Sequence, residues 1–251
     1  MRKHAMFSAV LLWCVTLTAQ TPKPSDSVTE VNVSEPKPGM LQQWEQGRKR
    51  HSDFHNTQKD TWTVHVYEIV TGEHVGSFVS VQSGHSWKDY DGRAAFDKLD
   101  APDVEKNMGP YQTAGPRSFY LYRPDLSRAK EGGTPAKMLT VTHYWLIPEH
   151  VREFQEAVKA VNSAIEKASY PAKPGRWYQL ANGGDVPHYA LVVDRASWAD
   201  MEAPPTTIDE ALGQEGAQAL ATLRRSTKRI LTELLEYRPD LSYVPQSAAA
   251  K

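Results

Sequence analysis

Only one cysteine, Cys14, occurs in the chain, and it lies within the first 19 residues. If that stretch is removed, the chain can have no disulfide, no thiolate nucleophile and no cysteine-bound metal. Nor is there an excess of charge: 29 Lys and Arg stand against 30 Asp and Glu. Such a balance offers no broad electrostatic footprint for nucleic acid or an anionic membrane. Arg48, Lys49 and Arg50 come nearest to a basic patch, and they make up a single turn of a helix, too small a cluster for such a footprint. A Gly-rich phosphate loop, a GxSxG elbow, an HExxH pair and zinc-finger spacing are all missing. Gly72, Gly183 and Gly184 fall in hairpin turns.

The N-terminus reads as a secretory leader over residues 1–19. Arg2, Lys3 and His4 give a basic start, residues 5–17 are almost uninterruptedly apolar, and Leu17-Thr18-Ala19 offers a cleavage site before a polar run over residues 20–26. The apolar stretch is shorter than the ~20 residues of a bilayer span. Trp13 before Cys14 argues against a lipoprotein. The expectation is a periplasmic or secreted protein with no membrane attachment after cleavage. Losing Arg2 and Lys3 leaves 27 basic against 30 acidic residues.

An internal duplication follows. Tyr-Arg-Pro-Asp-Leu-Ser at 122–127 recurs letter for letter at 237–242. Ser86-Trp87 with Asp89 matches Ser197-Trp198 with Asp200; Tyr67 matches Tyr178, Gly72 matches Gly183, and Phe78 matches Tyr189. Ordered anchors at a near-constant offset indicate two copies of one unit. Repeat 1 spans 27–127, a Gly-, Lys- and Pro-rich linker 128–137, repeat 2 138–243, and a tail 244–251.

Each copy reads as β-α-β-β-α-β, a ferredoxin-like unit. In the second, a strand over 138–147 precedes a helix opened by Pro148. That helix carries Phe154, Val158, Val161 and Ile165 at helical spacing. A hairpin over 176–194 turns at Asn182-Gly183-Gly184-Asp185. A second helix is expected to carry Leu220, Leu223, Ile230, Leu231 and Leu234 on one face, with the repeated hexapeptide in the closing strand. In the first copy the same elements fall at 28–33, 39–56, 62–70, 75–83, 93–108 and from 119. The hexapeptide's Arg and Asp, set about a fixed Pro, suit an ion pair that pins a strand end.

A ferredoxin-like sheet has helices on one face and needs a partner for the other. On this element order and duplication the chain resembles the dimeric α/β-barrel superfamily, in fused tandem-repeat form. That group includes NIPSNAP-like proteins, antibiotic-biosynthesis-type and haem-degrading monooxygenases and chlorite-dismutase relatives. The resemblance implies an α+β fold in which both repeats form one pseudo-dimeric α/β barrel, and a monomer by default. It also implies ligands such as aromatic molecules or haem held between helix and sheet.

The copies differ in their first helix. Aligning Trp44 with Phe154 sets Arg48, His51 and His55 opposite Val158, Val161 and Ile165. A guanidinium and two imidazoles therefore replace an inward apolar stripe, which calls for partners or a ligand. The expectation is a polar pocket between helix and sheet, with His51 and His55 as acid–base groups and Arg48 holding an anion. Two histidines supply half a zinc shell, so no metal ligand set is assigned; haem or a divalent metal stays open as cofactor. Trp44, His65, Tyr67 and His85 are the further ligand-binding candidates. His143, Trp145, Arg176 and Tyr178 share strand faces that can line the barrel, while His74, His150 and His188 read as surface residues. Two functions follow. One is a small-molecule-binding barrel acting as a cofactor-independent oxygenase, isomerase or haem-handling protein. The other is a non-catalytic interaction module.

Overall fold

A computed structural model describes residues 27–202 and 204–245; the leader 1–19 and most of the tail lie outside the described residues. The elements are β1 (Val28–Pro36), α1 (Leu41–Thr57), β2 (His65–Thr71), β3 (Phe78–His85), α2 (Trp87–Asn107) and β4 (Gln112–Tyr122) in the first half. In the second they are β5 (Met138–Leu146), α3 (Val151–Lys167), β6 (Gly175–Asn182), β7 (His188–Arg195), α4 (Ile208–Ala211), α5 (Gly213–Arg225) and β8 (Thr227–Tyr237).

The eight strands close into one antiparallel barrel in the order β1-β3-β2-β8-β5-β7-β6-β4. Each half contributes its strands in the ferredoxin-like order, and the halves join edge to edge through β2 with β8 and β4 with β6. Closure leaves no free sheet edge. The halves share edges and their two unpartnered faces become one barrel interior, the pseudo-dimeric barrel that the duplication implies. Tyr67, Ile69, Val79, Leu139, Val141, Ala190 and Leu235 pack inside it.

The helices cover the outside. In the second half, Phe154 and Val158 of α3 pack on Leu146, Trp177 and Tyr189 of the sheet. The far side of α3 meets α5 through Val161, Ile165, Leu212, Ala219 and Leu220. In the first half Trp44 of α1 packs on Val66, Phe78, Met108 and Leu241. Helix α2 starts at a capping box of Ser86 and Asp89. Its far end comes so close to α1 that a Cβ on Gly47 would lie 1.9 Å from the Asn107 carbonyl oxygen. That approach places one face of α2 directly over His51 and His55.

Two expectations need correction. Helix α5 ends at Arg225, so Ile230, Leu231 and Leu234 belong to strand β8 rather than to a helix. Leu231, Glu233, Leu235 and Tyr237 alternate inward, and a strand paired on both sides outweighs the helical spacing of the leucines. The hexapeptide also lies past its strand: only Tyr122 and Tyr237 are in β4 and β8.

The hexapeptide does form the expected ion pair. Arg123 grips Asp125 in a two-point contact of 2.8 and 2.7 Å, and Arg238 grips Asp240 at 3.0 Å twice. Each motif also crosses to the other half. Arg123 N donates to Trp177 O of β6, and Arg238 N donates to Val66 O of β2, both at 2.8 Å. Leu126 and Leu241, fully buried, plug the helix–sheet cores of the opposite halves.

Candidate functional site

Arg48, His51 and His55 are all 3% exposed, so the apolar stripe of α3 is indeed replaced by buried polar groups on α1. The two histidines face α2, however, and not a pocket over the sheet. His51 Nδ1 lies 2.8 Å from Asp103 Oδ1, and His55 Nδ1 lies 2.7 Å from Asp60 Oδ2. Asp60 also accepts both terminal nitrogens of Arg93 at 2.8 Å and the Trp62 amide at 3.1 Å. Burial would raise the Asp60 carboxyl, but these donors hold it well below the carboxylate range. The His51 imidazole is pushed down to about 3 by burial, then by the charge of Arg48. Burial brings Arg48 to about 10 against the opposing pull of Asp100. Its Nε donates to Leu241 O at 3.1 Å, and its Nη2 has no hydrogen-bond partner among the described residues.

The other expected site residues scatter. Trp44 is a core residue, its ring tilted against Phe78 with centroids 4.2 Å apart and its indole N–H on Gln112 Oε1. His85 lies flat on Trp62, ring centroids 3.5 Å apart, at the end of β3. His65 and Tyr67 face the barrel interior, as do His143, Trp145, Arg176 and Tyr178.

That interior holds a cavity of about 480 Å³. Its walls are mainly aliphatic and tyrosyl, and the linker residues Gly132, Gly133, Thr134, Pro135 and Ala136 border it. Besides the Arg176–Asp194 pair and His65, one connected chain of polar groups enters it. Tyr120 OH lies 3.4 Å from His188 Nδ1, His188 Nε2 lies 3.1 Å from His143 Nδ1, and His143 Nε2 faces Glu233 Oε2 at 3.9 Å. Glu233 Oε1 accepts both the backbone N–H and the ring of His74, at 3.1 and 2.8 Å. One set of tautomers satisfies the chain. Tyr120 donates to His188, His188 to His143, and His143 points its N–H at the carboxylate. Burial and the neighbouring His143 push His188 down to about 3, burial lowers His143, and burial pushes the Tyr120 phenol up to about 12. All three are therefore neutral near pH 7.

No family model matches this sequence, and no curated protein matches it. Solved structures do. An anthrone oxidase-like protein aligns at 12% identity and a TM-score of 0.54, over 85% of this chain and 92% of its own. A mutant chlorite dismutase from Candidatus Nitrospira defluvii, in complex with cyanide, gives 11% and 0.54, over 86% and 92%. A proposed monooxygenase from Lactobacillus acidophilus gives 8% and 0.52, over 87% and 96%. The fold is that of the dimeric α/β barrels.

The sequence leaves haem open as a cofactor, with the resemblance implying a place between helix and sheet, and the packing there does not suit it. Phe154, Val158, Trp177 and Tyr189 fill that layer in one half, and Trp44, Val66, Phe78 and Met108 fill it in the other. A flat macrocycle has no slot between them, so no chemistry here is routed through haem. His188, expected at the surface, is 3% exposed and lies in the polar chain of the barrel. Glu233 was hidden by the assignment of its segment to a helix. Asp60, Asp100 and Asp103 carried no motif to mark them. The three-residue spacing of Asp97, Asp100 and Asp103, one face of a helix, was the available signal.

Proposed function

We propose that the barrel interior binds a small, mainly apolar organic molecule whose polar group meets the Tyr120–His188–His143–Glu233 chain. The observation that carries this reading is that chain opening into a cavity of about 480 Å³, within the usual size range of small-molecule sites. Neutral His143 is the group placed to take up a proton, because Glu233 stabilises the charge that results, while His188, held down to about 3, serves as a hydrogen-bond partner. The chemistry this supports is proton transfer at a phenol, enol or similar group, as in an isomerase or a cofactor-independent oxygenase. The anthrone oxidase-like and monooxygenase structures of the same fold support a reaction of this kind.

The test is a fluorescence titration of the chain lacking residues 1–19 with 1-naphthol and a panel of simple phenols. Saturable one-to-one binding is expected. Ala190→Phe, which fills the cavity, should weaken it at least tenfold, and Tyr120→Phe by about tenfold, one hydrogen bond's worth. If no probe saturates and Ala190→Phe is the more stable protein, the reading fails. An interaction module with a merely underpacked barrel would then take its place.

We further infer that the protein is exported, supported by the basic and apolar leader over residues 1–19. Intact mass of the protein recovered from its native host should correspond to a chain beginning near residue 20. A full-length cytoplasmic product would overturn the inference.

A further inference from the structure

Three ligand atoms meet between α1 and α2. His51 Nε2 and His55 Nε2 are 3.0 Å apart, and Asp100 Oδ1 lies 3.6 and 3.4 Å from them. Both Nδ1 atoms face carboxylates, which only accept hydrogen bonds, so both Nδ1 atoms carry protons. In the neutral tautomer each Nε2 then presents a bare lone pair. Two such lone pairs face each other beside an anionic oxygen. Asp100 Oδ1 is itself buried and without a hydrogen-bond partner among the described residues. Repulsion on this scale inside a helix interface requires a cation or a shared proton between the groups.

The distances suit the cation. A triangle with these sides has a circumscribed radius of about 1.9 Å, so a point less than about an ångström above it lies roughly 2.0–2.1 Å from all three atoms, the Zn–N and Zn–O bond length. Asp103 and Asp60 orient the two imidazoles from behind, as the outer partners of metal-bound histidines do. The wider charge balance also fits. Asp60, Asp97, Asp100 and Asp103 surround the site, against Arg48 and Arg93. Repeat 2 supplies an internal control, since Val161 and Ile165 occupy the places of His51 and His55 and pack dry against α5.

We propose that His51, His55 and Asp100 form a binding site for a divalent first-row transition ion such as Zn(II) or Fe(II). Two imidazoles and one carboxylate match the donor preference of these ions and leave at least one coordination position free, as in catalytic rather than closed structural centres. The Asp100 side chain is 28% exposed while both histidines are 3% exposed, so an ion or exogenous ligand enters from the α2 side. The site lies in the helix layer and stands independently of the barrel cavity.

The chain lacking residues 1–19, stripped with chelator, is titrated with Zn(II) by calorimetry and with Co(II) by visible absorption. Fe(II) is added anaerobically in a parallel arm. One ion per chain is expected, with the intense d–d bands of a four- or five-coordinate Co(II) centre. Asp100→Ala should lower affinity by about 100-fold or more and Asp103→Asn by about 10–100-fold. Asp100 Oδ1 makes no hydrogen bond, but Asp100 is the charge that opposes the burial of Arg48, so Asp100→Ala is first shown to be folded by circular dichroism, and Asp103→Asn, which keeps Asp100 in place, separates lost binding from lost folding. Uptake of less than one equivalent overturns the proposal. So does a six-coordinate, weakly absorbing Co(II) spectrum, or unchanged affinity in folded Asp100→Ala and Asp103→Asn.

Discussion

At the scale of single residues, His188 shows how burial sets chemistry. Its imidazole is held down to about 3 by burial and by His143, against an ordinary value of 6.5. The sign of the linkage follows from that depression. Between those two pH values the unfolded chain binds a proton that the folded chain refuses, so stability falls as the pH drops below the ordinary value. One proton gives a slope of about 1.4 kcal/mol per pH unit. Urea unfolding at about pH 7 and about pH 5 should therefore show the wild type losing roughly 2 kcal/mol more than His188→Gln. Gln keeps a donor and an acceptor but does not titrate. Equal losses in the two proteins would mean that His188 is hydrated or already charged in the folded state.

At the scale of elements, the sequence was most legible where its periodicity had one interpretation. The stripe of Phe154, Val158, Val161 and Ile165 on α3 admits only a helix with one buried face, and it is buried as read. By comparison with that stripe, Arg48, His51 and His55 stood out as buried polar positions, because an aligned copy states what ought to be there. What could not be read was which surface each one meets. A helix on a sheet has a sheet side and a flank, and α1 turns Trp44 to the sheet and both histidines to the flank against α2. Periodicity gives a face but not the partner across it. Strand β8 failed for a related reason: Ile230, Leu231 and Leu234 fit a helix as well as a strand. The inward alternation of Leu231, Glu233, Leu235 and Tyr237 is disguised by the charged Glu233, which is buried only because a barrel closes around it. Local pattern favoured the helix, and non-local pairing on both sides decided for the strand.

At the scale of the whole molecule, duplication has produced two halves that each finish the other. The exchanged hexapeptides put Leu241 of the second half into the core around Trp44, and Leu126 of the first half into the core around Phe154. Ser242 Oγ accepts the Val66 N–H at 2.9 Å, and Ser127 Oγ accepts the Trp177 N–H at 2.8 Å, so both clasps are built alike. A chain joined in this way unfolds as one unit, because each half loses a fully buried leucine and a strand partner on each edge when the other departs. Truncating either leucine to alanine should cost about 2–5 kcal/mol, the range for a buried leucine that leaves a cavity. The location of the damage separates this arrangement from two independent domains. In Leu241→Ala, amide exchange should accelerate first around Trp44, Val66 and Phe78, nearly two hundred positions away along the chain for Trp44. The neighbourhood of Phe154 and Trp177 should follow only at the global unfolding limit. Acceleration confined to β8 and α5 would instead show that each half holds its own core. The exchange of hexapeptides would then be a surface contact, and fragments 27–127 and 138–243 would fold separately.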